Sequence, residues 1–342
     1  MAKDIKELTK LVLEKSESFY VPHGKVSWRL PTGVPSLDRI LGGGLPGGSI
    51  VQMYGPEKAG KTTLAYHIAA QSVKLGYSTL FVALEKYSED YAKACGIDID
   101  ADNYEVVGAD FAEEIFNFCI EAVRNYDTKV IVMDSITAAV PKQHIDKKQK
   151  VQKFDKGVAP GVQARAVGLF IQQLQQPIRR KEALFVTVNQ LRSNIGTFVS
   201  GLKPSGGMAL QYFSDIKLAM WGREDREKQL IETTVTVNKG KDWDVVPFSA
   251  TTLYLRHAQG VDIDRDILAV CEKAGILKKA GSWFSYVRPN GEEIKFQGLE
   301  NFATELKNNK ELKDELYNLA HDVNVEIETI IPEEEGEDGT DD

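Results

Sequence analysis

The stretch Ile50–Leu64, IVQMYGPEKAGKTTL, limits what this chain can fold into more than any other. An apolar run predicts a strand, a glycine-bounded loop follows, and a helix is predicted to begin at once. Gly55, Gly60, Lys61 and Thr62 fill the pattern G-x-x-x-x-G-K-[ST] of a phosphate-binding loop. Glycines let backbone N–H groups turn inward and approach phosphate oxygens closely. The helix that follows points its positive dipole end at the same anion. The loop residues Gly55, Pro56, Glu57, Lys58, Ala59, Gly60, Lys61, Thr62 and Thr63 are therefore expected around a nucleoside triphosphate. Lys61 would reach the outer phosphates and the Thr62 hydroxyl would sit on Mg²⁺.

The rest of the chain fits a sheet built around that strand. Thr62–Leu75 is predicted helical. Ser78–Glu85, Tyr104–Gly108, Lys129–Ser135 and Ala183–Gln190 read as strands, and Phe111–Arg124 as an amphipathic helix between them. Nearly all-apolar strands alternating with helices imply an α/β fold, a parallel sheet covered on both faces. From about Asp215 the segments DIKLAMW, TTVTVNK and SATTLYLRH follow one another as strands, an antiparallel extension of the same sheet. Beyond Val261-Asp262 the pattern changes to a helix over Asp264–Gly275, a hairpin around Pro289-Asn290-Gly291 and helices Leu299–Asn309 and Glu311–His321. This predicts a separate small α/β module. At the other end, Ile5, Leu8, Leu11 and Val12 recur at helical spacing ahead of the turn-rich joint VPHGK. Such a helix either folds back on its own core or docks on a neighbouring copy. The expected divisions are an arm and joint (1–25), an ATPase core (26–261), the small domain (262–323) and an acidic, disordered tail (324–342).

Charge matters because of where it lies. The formal net charge is −8, of which −7 falls in the last ten residues, EEEGEDGTDD, leaving about −1 for everything before them. Basic patches fit on such a body. No apolar run reaches membrane-spanning length, and the N-terminus lacks the apolar core of a signal peptide. Cys95, Cys119 and Cys271 are far apart, without metal-ligand spacing, and read as buried reduced thiols of a cytosolic protein.

Ligands of an open parallel sheet bind beyond the carboxyl ends of its strands. Asp134 ends one strand and matches the carboxylate that holds Mg²⁺ through water in phosphate-loop enzymes. Glu85 ends another, where it could orient and deprotonate an attacking water. Gln190 ends a third, where an amide could report the γ-phosphate. Tyr91 could stack on adenine. Solvated strand ends, a loop residue and a half-buried helix residue are the plainer readings of these four. Two long stretches follow strand ends on the same face. In the first, Lys142 to Lys156 holds six lysines against two aspartates, among them Lys147, Lys148 and Lys150. The second, SNIGTFVSGLKPSGG, is polar and glycine-bearing and includes Asn194, Ser205, Gly206 and Gly207. A lysine-rich loop beside a flexible partner suits a phosphate backbone, so binding would be salt-dependent and weakly sequence-specific.

With these residues in place, the chain resembles the RecA family of recombinases, and within it bacteriophage strand-exchange proteins of the UvsX/RecA type. The resemblance runs over nearly the whole chain, through TGVPSLDRILGGGLPGGSIVQMYGPEKAGKTTL, VIVMDSITAAVPK, FVTVNQLR, SGGMALQYFSDIKL and AGSWFSYVRPNGEEIKFQG. It implies Lys61, Thr62 and Asp134 as phosphate and Mg²⁺ residues, Glu85 as catalytic glutamate, Gln190 as γ-phosphate sensor and Tyr91 as adenine-stacking residue. It implies that Lys239 and Lys241 reach the ATP of the adjacent protomer. It places Arg165, Arg192, Gly206 and Gly207 at DNA-loop positions. The chain departs from bacterial members in a longer, more basic first loop, in Gln172 at a usually basic position, and in a longer segment DWDVVPF after the lysine pair. The implied activity is a DNA-dependent ATPase that forms helical filaments on single-stranded DNA and pairs it with a homologous duplex. Implied partners are DNA, further copies of the chain, a single-strand-binding protein and a loader, in a bacterial or phage-infected cell. A hexameric helicase or motor on the same core, and a nucleotide-binding mediator without turnover, are the alternatives.

Overall fold

The phosphate-loop strand lies in the middle of the sheet. The computed structural model describes residues 5–15, 25–144, 161–193, 202–225, 229–323, 327 and 329. After α1 (Ile5–Lys15), the short strands β1 (Arg29–Leu30) and β2 (Leu45–Pro46) pair across α2 (Pro35–Ile40). Then come β3 (Ile50–Gly55), α3 (Lys61–Lys74), β4 (Thr79–Ala83), α4 (Glu89–Ala94), β5 (Tyr104–Val107), α5 (Ala112–Asn125) and β6 (Val130–Asp134). Next are α6 (Val162–Lys181), β7 (Leu184–Ser193), β8 (Leu202–Pro204) and α7 (Gly207–Phe213). The strands β9 (Ile216–Asp225), β10 (Leu230–Gly240), β11 (Ala250–Arg256) and β12 (Gly260–Val261) form the extension.

These strands make one ten-stranded sheet in the order β12-β11-β10-β9-β3-β7-β6-β4-β5, with β8 paired to β7. Pairing is parallel from β9 through β3 to β5 and antiparallel from β9 outward to β12. Successive side chains of a strand point to opposite faces. In β6, Val130 and Val132 therefore join a core with Leu64 and Ile68 of α3, whereas Ile131 and Met133 join one with Phe116 of α5 and Phe170 of α6. Both faces are covered, which is why the strand reads as an unbroken apolar run.

A third core closes the small domain of α8 (Ile263–Lys273), β13 (Lys278–Ala280), β14 (Trp283–Val287), β15 (Glu293–Gln297), α9 (Leu299–Asn308) and α10 (Lys310–Asp322). Its hairpin carries a third strand, β13, that the sequence reading lacked. Ser36 of α2 ties this domain to the rest. Its N–H and hydroxyl donate to the buried Asp266 carboxylate at 2.9 and 2.5 Å. The second long stretch is less irregular than expected, because β8 and the start of α7 lie within it. No residue of α1 is buried, and Ile5, Leu8 and Leu11 are exposed, so the helix does not fold back on its own core. The three cysteines are free and buried. Among the described residues no helix is long and apolar enough to cross a membrane. Lys147, Lys148, Lys150, Asn194 and the last ten residues lie outside the described residues.

Candidate functional site

The ends of β3, β4, β6 and β7 converge on the phosphate loop. Gly60 stands at φ +79°, and a Cβ there would lie 2.0 Å from Leu255 Cδ1, so only glycine fits. A Cβ on Gly55 would likewise collide with Met220 O, at 2.0 Å. Lys61 is nearly buried, and its ammonium donates to Gly55 O at 2.9 Å and Pro56 O at 2.6 Å. Burial lowers its pKa below the usual lysine value, while Asp134, Glu85 and Glu57 act in the opposite direction. A single cation is thus surrounded by the acids of its own site.

Strand register brings the acids and the amide in. Ala83 of β4 pairs with Asp134 of β6, and the N–H groups of Leu84 and Glu85 donate to Asp134 O at 2.8 and 3.2 Å. Gly55 of β3 pairs with Gln190 of β7. Gln190 Nε2 donates to Glu85 Oε1 at 2.9 Å, so the expected sensor and the expected base touch. Burial pushes the Asp134 carboxyl up to about 6, offset by a hydrogen bond from the Thr62 side chain and by Lys61. Its Oδ1 is buried with no hydrogen-bond partner. A hydroxyl and an unpartnered carboxylate oxygen, next to a loop shaped for phosphate, make a donor set of the kind Mg²⁺ accepts. No cluster of three or more His, Cys, Asp or Glu side chains fit for a metal occurs among the described residues. An ion here would draw its other ligands from phosphate and water.

Tyr91 lines a cleft of about 440 Å³ beside α3, and its hydroxyl lies 2.7 Å from Thr63 Oγ1. The opposite wall is Ile231, Leu255, Arg256, His257 and Ala258. The sequence reading missed these five. They come from the antiparallel extension, far from the loop in sequence, and only the fold of β10–β12 over α3 delivers them. The constraint on Gly60 by Leu255 is the same contact seen from the loop.

A second group gathers where α6 and α7 begin. Gly206 and Gly207 have φ +86° and +85°, and a Cβ on Gly207 would lie 2.9 Å from Ala164 Cβ. Arg165, one residue on, is exposed. Ser205 connects this corner to the sheet. Its N–H donates to Gln190 O at 3.0 Å, its hydroxyl lies 2.8 Å from both Gln190 O and Asn189 Oδ1, and Asn189 Nδ2 donates to Ser205 O at 2.6 Å. Asn189 is a further residue that sequence reasoning left without a role. Arg192 lies in β7, and its side chain is outside the described residues.

Lys239 and Lys241 are not part of this assembly within one chain. Lys239 pairs with Lys217, and Lys217 with Gln52 near the start of β3. That places Lys239 ~10 Å back along the strand direction from Gly55 and two strands, another ~10 Å, to the side. Lys239 donates to the carbonyls of Gln211 and Tyr212 at 3.2 and 2.7 Å, and Lys241 to Asp215 Oδ1 at 3.0 Å.

Comparison with known proteins bears on this arrangement. The model of the RecA N-terminal domain matches residues 23–262, and that of the RecA C-terminal domain matches residues 265–322. A protein named Protein RecA from Roseiflexus castenholzii is 34% identical over 296 residues, covering 85% of this chain and 80% of its own. Its namesake from Roseiflexus sp. strain RS-1 is 33% identical over 325 residues, 91% and 88% of the two chains. That from Caulobacter sp. strain K31 is 32% identical over 298 residues, 86% and 81%.

Proposed function

This chain belongs to the RecA family, and from that premise we infer a nucleotide-driven, DNA-dependent ATPase that carries out strand exchange in recombination and repair. It binds DNA and assembles with its own copies into filaments. The observation that carries the mechanism is the contact between Gln190 and Glu85 beside the phosphate loop.

We propose ATP as the nucleotide, with Lys61 at the outer phosphates and Tyr91 against the base. Thr62 and Asp134 would hold Mg²⁺, which supplies charge neutralisation at the phosphates. Glu85 would orient the attacking water and accept its proton. Gln190 cannot lean on Glu85 and on a γ-phosphate with the same Nε2–H. Turning toward the phosphate frees Glu85 for water and pulls on the strand whose carbonyl holds Ser205. That coupling would pass to Gly206, Gly207 and Arg165, and onward to Arg192, Asn194, Lys147, Lys148 and Lys150 as backbone contacts to DNA.

Lys239 and Lys241 sit at the opposite end of the sheet from their own loop. A head-to-tail contact between copies would bring them to the neighbour's triphosphate, where they would neutralise transition-state charge. A single-strand-binding protein and a loader are proposed as further partners, with action in the cytoplasm of a bacterium or phage-infected cell. The phage assignment rests on sequence resemblance alone.

Two measurements test this reading. Electron microscopy with an ATP analogue and single-stranded DNA should give open helical filaments; closed hexameric rings would replace strand exchange by a motor. Glu85→Gln should lower DNA-stimulated phosphate release by roughly 10²-fold or more with nucleotide binding kept. Intact turnover in that variant would remove Glu85 from the reaction.

A further inference from the structure

Asp215 stands where β3 and β9 begin, at the edge of the sheet away from the phosphate loop. Its N–H donates to Ile50 O at 2.7 Å, and its Oδ2 accepts the Ile50 N–H at 3.0 Å. Its carbonyl accepts the Lys241 N–H at 3.0 Å. Oδ1 accepts from Lys241 Nζ at 3.0 Å and lies 3.6 Å from Arg179 Nη2. The carboxylate is thus fixed by backbone on one side and shared by two cations on the other. Its side chain is 13% exposed, against 43% for Lys241 and 39% for Arg179. The anion is the anchored partner, and the cations are the ends free to move on flexible stems.

Lys217 and Lys241 add positive charge beside Lys239, and Asp215 is the acid that offsets it there. A lysine that approaches a neighbour's triphosphate from here must first leave Asp215. An abandoned carboxylate would then face an incoming anion in a closing interface, which is strongly unfavourable unless another cation covers it. Arg179, in the last turn of α6, is already within reach and can pair with both carboxylate oxygens in a planar fork.

We propose that Asp215 is an exchangeable counter-ion: it holds Lys241 in the separate protomer and passes it to the neighbour's nucleotide on assembly, while Arg179 takes over the carboxylate. This rests on the reading of Lys241 as a residue acting on the adjacent copy. Asp215 is a positioning residue in this scheme and touches no reacting atom.

The test is DNA-stimulated ATP turnover measured against protein concentration, with filament formation followed by light scattering. Asp215→Asn keeps an acceptor for the Ile50 N–H and all backbone bonds but loses the charge. Half-maximal turnover should then come at roughly 2- to 5-fold lower protein concentration, the range expected of a partly exposed ion pair, with the maximal rate retained. Asp215→Glu should behave as the unaltered protein. Arg179→Gln should shift the midpoint the other way by a similar factor, and should have no effect in the Asp215→Asn background. An unshifted midpoint in Asp215→Asn, or an equal effect of Arg179→Gln in both backgrounds, would overturn the exchange. If Asp215→Asn fails to fold, a midpoint unmoved by Arg179→Gln overturns it alone. Lys241→Gln separates the two levels. Turnover that survives this change overturns the reading of Lys241 itself, whereas lost turnover together with a silent Asp215→Asn overturns only the exchange.

Discussion

His67 lies on α3, four residues on from Thr63 of the Tyr91 cleft, and accepts the Val261 N–H on Nε2 at 2.8 Å. It fixes β12, and with it the turn that carries His257 and Ala258 to the cleft. Burial lowers its pKa to about 4, from an ordinary 6.5. Between those values the unfolded chain binds a proton that the native chain refuses. The stabilisation is therefore complete above pH 6.5 and is lost as pH falls through about 4. Asp38 and Asp266, both pushed up to about 6 by burial, run the opposite way and stabilise most at the acid end. His67→Gln removes only the first contribution. Relative to the unaltered protein, the variant should gain about 3 kcal/mol in unfolding free energy when urea titrations are moved from pH 7 to pH 4. A difference that stays constant with pH would mean that His67 does not titrate as described. Residues of this kind were illegible in the sequence, where a histidine in an apolar helix announces nothing. The gathering of Lys61, Thr62, Asp134, Glu85 and Gln190 at one end of the sheet was legible because each is tied to a loop pattern or to the end of an apolar strand. Leu255, Arg256, His257 and Ala258 have no such mark.

At the level of elements, the alternation of strands and helices could be read because parallel strands buried on both faces are apolar throughout. Register could not. Nothing in the sequence sets Gly55 beside Gln190, yet that pairing brings amide and phosphate loop together. β8 was also invisible, since LKP has no strand character of its own and forms by pairing with the long β7. Its consequence is that Ser205, just after β8, is bonded to both Asn189 and Gln190. Ser205→Ala deletes the hydroxyl contacts while sparing the backbone bond. The one hydroxyl proton shared between these two acceptors contributes ~1 kcal/mol, so the gain in single-stranded DNA affinity produced by an ATP analogue should fall by roughly 5- to 10-fold. Fluorescence anisotropy with and without the analogue measures this, and nucleotide affinity serves as the control. An undiminished gain would place the coupling elsewhere.

For the molecule as a whole, charge is divided between an almost neutral body and a strongly acidic end. Truncation after Ile331 removes the seven acids of EEEGEDGTDD and no base. If that segment competes with DNA for the basic loops, the truncated protein should bind duplex more tightly, with smaller sensitivity to salt and Mg²⁺. Superimposable salt titrations would end that idea. The separation of the phosphate loop from Lys239 and Lys241 has a further effect. If Lys239 and Lys241 act on a neighbour's triphosphate, a protomer with its two half-sites at opposite ends would have a direction, and a row of them would have two unlike termini. One terminus would show a nucleotide with no lysines over it, and the other lysines with no nucleotide. A row of n copies would then contain n − 1 finished sites. Turnover per copy would climb with length, and the last copy would keep its triphosphate as a cap until a neighbour arrived.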